Sequence, residues 1–373
     1  MNGTSVCKVS APGKTILHGE HAVVYGKAAV AASIDLRTHV TASPEESSVV
    51  LELLDLKYVE SWSTEQFTQL SVSEEDCGDN VVRSEALVPK LADLLGLDTS
   101  SKAPTHQARL AFLFLYVGTS LAHGRGRFLP MRLTVTSELP VGAGLGSSAS
   151  YATAVAAALL AQRGAVHPSL SNSDRDRICS WAFQAECILH GQPSGIDNAV
   201  CTYGGAVLFK GGRVVERLKS IPSYKVVLIN TEVARNTKTL VASVKTRHDQ
   251  YPDVVKPVLE SIEAISETCW KLLKHPESST QVLFTQATEL VRMNQCLLNC
   301  LGVGHTSLDQ VAALAASQGF SAKLTGAGGG GCALLVYHVG SGDTGAPAVQ
   351  DVLAAEGFQC WRVELGCPGV TLH

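Results

Sequence analysis

The chain has 373 residues, of which 45% are hydrophobic and 17% charged, and its net charge is −4. That length exceeds one typical core and fits two domains with ample apolar material. The mild acidity supplies no basic field for nucleic acid, and no Lys/Arg-rich tract suits a membrane surface.

Taken in order, residues 6–10 read as a short strand, followed by a turn at Pro12 and Gly13. Lys14, His18, Glu20 and His21 crowd the next eight residues beside Gly19 and resemble a pocket wall; a solvated lysine is the plain alternative for Lys14. Residues 28–37 and 38–41 follow as strand material, and the polar, acidic stretch 43–82 is expected to form loops and edge strands, available as a lid. Helical patterns span 84–96 and 106–123, the second with core aromatics Phe112 and Tyr116.

Residues 131–136 alternate apolar and polar and predict a strand. Glycines then fall at 142, 144 and 146, hydroxyls at Ser147 and Ser148, and an alanine-rich helix former fills 150–161. Strand, glycine turn and helix start can cradle a phosphate: glycines let backbone N–H groups approach, and the helix N-terminus adds positive dipole. Neither a Walker loop nor a dinucleotide fingerprint fits, because Gly146 stands where a lysine would and the spacing is G-x-G-x-G. By itself the stretch is equally a serine-capped glycine turn.

Residues 165–176 read as a connection, and 176–190 as an amphipathic helix whose apolar stripe holds Trp181 and Ala185. Glu186 flanks that stripe, so its carboxylate needs a partner, either a metal or a basic side chain. Gly191, Pro193 and Gly195 set a tight turn, with Asp197 just beyond it and a strand expected over 199–202. Asp197 is a turn former on its own account; after a candidate metal carboxylate and a phosphate cradle, a general base is the better reading. A domain boundary is expected near 222, giving units 1–222 and 223–373. Beyond it come a strand at 226–230, helical regions over 237–273 and 280–300, and a helix at 309–316. Five glycines occupy six positions from Gly326 to Gly331, ahead of a strand at 333–337. A linker seldom joins a helix to a core strand, so this loop reads as backbone closing over phosphates.

Eleven cysteines are scattered singly, with no C-x-x-C pair for zinc, and read as reduced thiols. Residues 1–20 lack a signal-peptide apolar region and no stretch reaches membrane-span length, so a cytoplasmic location is expected, with the peroxisome as the alternative.

Three glycine-centred stretches in this order make the chain resemble the GHMP kinase superfamily. The matching residues are 11–14 and 18–24 around Lys14 and Glu20, 138–149, 181–198, and 323–332. The combination of His190 to Asn198 with Gly19 to Val24 resembles the members that act on mevalonate. The resemblance covers nearly the whole chain. It implies an α+β, two-domain GHMP kinase fold, with a left-handed β-α-β unit in the N-terminal domain and a ferredoxin-like C-terminal domain. It further implies transfer of the γ-phosphoryl of ATP to the 5-hydroxyl of mevalonate in isoprenoid and sterol biosynthesis, Mg²⁺, a homodimer and inhibition by prenyl diphosphates.

Carried over by position, Gly142, Ala143, Gly144, Leu145, Gly146, Ser147 and Ser148 would form the phosphate loop, with Lys14 and Ser137 also on the nucleotide. Ser148 and Glu186 would hold Mg²⁺. Asp197 would accept the hydroxyl proton, with Lys14 beside it stabilising the transferring phosphoryl. Glu20, His21, Asp197, Thr237, Gly326 and Ala327 would contact mevalonate. Asp55 stands where the family has a nucleotide-side Asn, and the family pattern carries a helical segment after the position of His373. Galactose, homoserine or phosphomevalonate kinases stay open as alternatives, as does a nucleotide-binding regulator without catalysis.

Overall fold

The computed structural model of the chain describes residues 6–373 except 79–80, 125, 141, 192, 222–224, 276–279 and 338–344. The expected boundary between 222 and 223 lies outside the described residues.

The first half is built on two long strands. β1 (Cys7–His18) and β2 (Ala29–Pro44) pair antiparallel along nearly their full length. Pro12 and Gly13 do not turn the chain; they lie inside β1 at a register shift, where a proline that cannot donate to the ladder is tolerated. β3 (Ser48–Leu53) and β4 (Tyr58–Ser63) form a hairpin, and β5 (Cys77–Gly78) pairs with β6 (Val81–Val82). Helices α1 (Ser84–Leu95) and α2 (Pro104–His123) lead to β7 (Met131–Ser137), which pairs parallel with β3 and antiparallel with β2.

Next come α3 (Ser147–Gln162), α4 (Asn172–His190) and α5 (Ile196–Tyr203). α4 starts earlier than the sequence suggests, because Ser171 and Asp174 form a reciprocal capping box. Residues 199–202, expected as a strand, belong to α5: Gly195 in the left-handed region opens a helix whose apolar residues pack on α3 and β1. β8 (Ala206–Lys210) and β9 (Arg213–Leu218) extend the sheet from β2.

In the second half, β10 (Lys225–Asn230) is followed by α6 (Thr237–Gln250) and α7 (Pro252–Lys274). The single helical run expected over 237–273 is broken at Tyr251, since Pro252 cannot continue a helix but suits its first turn. α8 (Thr280–Cys300), α9 (Thr306–Ser317), β11 (Ala322–Leu324), β12 (Cys332–Tyr337), α10 (Gly345–Ala355), β13 (Gln359–Glu364) and β14 (Thr371–Leu372) complete the chain.

Among the described residues the first sheet has eight strands, ordered β14-β1-β2-β7-β3-β4 with β8 and β9 branching from β2. The second has four, ordered β11-β12-β10-β13, all antiparallel. That order, with helices between β10 and β11 and between β12 and β13, is the ferredoxin-like pattern. α3 is buried on nearly every side between the first sheet and α2, α4 and α5, as a helix apolar all round must be. The two halves share a core in which Ala143 and Leu145 join Leu228, Trp270 and Cys332. The backbone of the glycine loop before α3 is therefore anchored in the seam between the lobes. Among the described residues no helix is long and apolar enough to cross a membrane.

Candidate active site

The loop before α3 alternates outward glycines with buried anchors. Gly142 and Gly144 are exposed, whereas Ala143 and Leu145 are buried. Burial of Leu145 contributes about 1.5–3 kcal/mol, and Ala143 adds a smaller anchor two residues earlier. Gly142, Gly144 and Gly146 all take φ between 75° and 79°, a region costly for residues with a Cβ. The Leu145 carbonyl accepts the Lys14 N–H at 2.8 Å, which ties the loop to β1. Gly146 caps α3, and a Cβ there would lie 2.8 Å from Lys14 Cγ. Ser147 and Ser148 are the first residues of α3, at the positive end of its dipole.

Lys14 is buried, with Nζ 3.2 Å from Asp197 Oδ1. Asp197 sits in the first turn of α5, where the helix dipole favours its negative charge, and its side chain keeps 35% of its surface open. Here the half-open carboxylate of Asp197 can accept a proton while the Lys14 cation beside it steadies a phosphoryl group.

Glu186 projects from α4 towards the same place and is 2% exposed. Its Oε1 has no hydrogen-bond partner. Burial first, and the neighbouring Asp197 charge second, push its carboxyl up to about 7 against the pull of Ser148 and Lys14. Ser148 Oγ lies 3.1 Å from His190 Nε2, which is 3.7 Å from Glu186 Oε2. An orphaned, buried carboxylate oxygen beside a serine hydroxyl fits a hard divalent cation. Among the described residues there is no cluster of three or more His, Cys, Asp or Glu side chains. Magnesium does not require one, because it takes one or two carboxylates and fills its shell with water and substrate phosphates. His190 was not singled out as a site residue from sequence, although it lies in the stretch that carries the resemblance.

At the end of β7, Asp55 Oδ2 accepts the Ser137 N–H at 2.6 Å, and Ser137 Oγ is 3.2 Å from Thr38 Oγ1. On the opposite side, His21 reaches the second glycine loop through Nε2, 2.8 Å from the Ala327 carbonyl. Burial lowers the His21 imidazole below its ordinary value, the Ala327 contact pulling the other way. Thr237 is exposed at the start of α6.

Glu20, expected to contact mevalonate, lies deeper than His21. Its side chain has no exposed surface; Oε1 pairs with Lys323 of β11, and Oε2 accepts from Asn294 Nδ2 at 3.2 Å. Burial raises the Glu20 carboxyl and lowers the Lys323 ammonium from their ordinary values, each offset in part by the other's charge. His18, also against Asn294, is held well below its ordinary value by burial and by Lys323.

Arg235 is a further candidate site residue. Its Nη2 donates to the Ala143 carbonyl at 3.0 Å and its Nη1 to the Thr325 carbonyl at 3.2 Å, joining both glycine loops. A Cβ on Gly144, Gly326 or Gly331 would meet the guanidinium first of all its neighbours. It makes no ion pair among the described residues, so its charge is uncompensated where phosphates would lie. Sequence gave no signal for this beyond an arginine just before a helix.

The lobes, loop and Lys–Asp pair define a small-molecule kinase of the GHMP class, and the profile "GHMP kinases N terminal domain" matches residues 114–205. The chain is 40% identical to a mevalonate kinase of Bos taurus, over 99% of this chain and 96% of that protein. It superposes on a Methanococcus jannaschii mevalonate kinase with a TM-score of 0.74 at 20% identity, covering 97% of this chain and 98% of the other. A Leishmania major mevalonate kinase solved in complex with R-mevalonate gives 0.70 at 21%, covering 97% and 96%. The chain belongs to the mevalonate kinase family.

Proposed function

We propose that this protein transfers the γ-phosphoryl of ATP to the 5-hydroxyl of mevalonate. The observation that carries the reading is the Lys14–Asp197 pair at the phosphate loop, in a chain similar over nearly its full length to mevalonate kinases. The phosphate loop, 142–148, with Lys14, Ser137 and Asp55 takes the nucleotide. Asp197 accepts the proton as the acceptor oxygen bonds to phosphorus and the bond to ADP breaks, a role worth ~10²–10⁴ in rate. Lys14 holds Asp197 in place and lies where the transferring charge develops.

Ser148 and the orphaned Glu186 oxygen would hold Mg²⁺, which neutralises phosphate charge when bound. Arg235 faces the same phosphates from the other lobe. His21, Thr237, Gly326 and Ala327 line the acceptor side, and Glu20 acts there as a positioning residue through Lys323. Two domains meeting near 222, a homodimer, a cytoplasmic location and inhibition by prenyl diphosphates complete the reading.

The test is ADP release by the purified protein with Mg·ATP and mevalonate, phosphomevalonate, galactose or homoserine. Turnover with mevalonate alone is expected, and Asp197→Asn should nearly abolish it while ATP still binds. Turnover with another acceptor only, or nucleotide binding without turnover on any, would overturn the assignment.

A further inference from the structure

A cavity of about 620 Å³ lies away from the phosphate loop, on the flank of α4 and α5 beside the β8–β9 hairpin. Its volume is that of a small-molecule site. Arg83, Arg213 and Arg217 line it, and no Asp or Glu does. None of the three forms a salt bridge among the described residues, where the ion-paired arginines are Arg109, Arg132, Arg177 and Arg292. In a chain of net charge −4, three guanidiniums without a salt bridge among the described residues gather positive charge around one hollow. Arg217 lies over the Tyr203 ring at 3.8 Å, which fixes the plane of its guanidinium at the cavity wall.

A separate observation points into the same cavity. Asn198 lines it and is 1% exposed, yet neither its Oδ1 nor its Nδ2 has a partner. Buried amides are otherwise paired almost without exception, so this one lacks a donor and an acceptor that a ligand can supply. Phe183 and Phe209 add an apolar wall.

We propose that this cavity binds a small phosphate monoester with an apolar body. The three arginines take the phosphate, for which the planar guanidinium fork is suited, the phenylalanines take the body, and Asn198 takes a polar group between them. The cavity's lining does not include Lys14, Ser148, Glu186 or Asp197, so it is a second site, and its binding does not depend on which acceptor the kinase uses.

Hexyl phosphate is the probe, titrated calorimetrically into the full chain with the active site saturated by Mg²⁺ and a non-hydrolysable ATP analogue. One molecule per chain is expected to bind under saturation, while hexanol is not. Arg213→Ala/Arg217→Ala should weaken the dissociation constant by about tenfold or more. Both arginines are exposed on a hairpin, so the variant should keep its melting temperature; Arg213→Glu is the second variant if it does not. Displacement by the ATP analogue, equal binding of hexanol, or unchanged affinity in the arginine variants would overturn the proposal.

Discussion

Replacing Lys323 by Met tests how the acceptor side is held together. In the native protein Lys323 and Glu20 both have 0% side-chain exposure, so solvent does not screen the pair. Removing the ammonium leaves Glu20 with only Asn294 as a side-chain donor and an uncompensated charge in the seam between the lobes. Breaking a buried pair from one side costs about 3–5 kcal/mol, a large fraction of the 5–15 kcal/mol that typically holds a fold. For a chain of 373 residues that is a fall in melting temperature of about 4–6 °C. Burial opposes the charged form of each partner, so the pair itself contributes little net stability. The double variant Glu20→Leu/Lys323→Met should therefore recover most of the loss. Thermal denaturation of the single and double variants, with turnover on mevalonate, reads the effect. If Glu20 acts by positioning, turnover returns with stability. A single-variant loss below about 1 kcal/mol would refute the argument from burial. A stable double variant with a greatly raised KM for mevalonate would instead make Glu20 a direct ligand.

Glu186 gives a pH signature. Its carboxyl is raised to about 7, so the fold favours the protonated form. Its contribution is fully present below the ordinary carboxylate value and is lost as pH rises through about 7, about 3 kcal/mol in all. Melting of the metal-free protein should decline between about pH 4.5 and 7, and Glu186→Gln should flatten the decline; an unchanged slope in that variant would remove Glu186 as its source. Gly146→Ala places a Cβ 2.8 Å from Lys14 Cγ at a positive φ, and should lower kcat by about 10²-fold through displacement of Lys14. Retained turnover would show that the loop yields. Arg235→Gln should lower kcat/KM by about 10²–10³, with poor rescue by Lys because one ammonium cannot span two loops. Equal activity of the Arg and Gln forms would make Arg235 only a spacer.

The chemistry near the phosphate loop was legible because its signals are local. Alternation over 131–136, glycines at every second position from 142 and an alanine-rich run each dictate a conformation within a few residues. The same logic located β10, β12 and α9 but misjudged Pro12 and Gly13, whose strand is imposed by pairing with β2. It also misjudged 199–202, where a short apolar run is ambiguous until packing on α3 and β1 decides it. Tertiary structure alone determined which charges meet. Glu20 finds Lys323 at a separation of 303 residues, and Arg235 reaches Ala143 and Thr325 at 92 and 90. Such pairings are settled by how the two lobes close, and conformational preference carries no record of them. Sequence by itself placed the glycine turn ahead of α3, and with the resemblance it gave the kinase class. Only the folded chain brought Lys14 to 3.2 Å from Asp197, left Glu186 with an unpaired oxygen, and withdrew Glu20 from solvent. Burial and charge compensation are properties of the surrounding shell, and that shell is assembled from both halves of the chain.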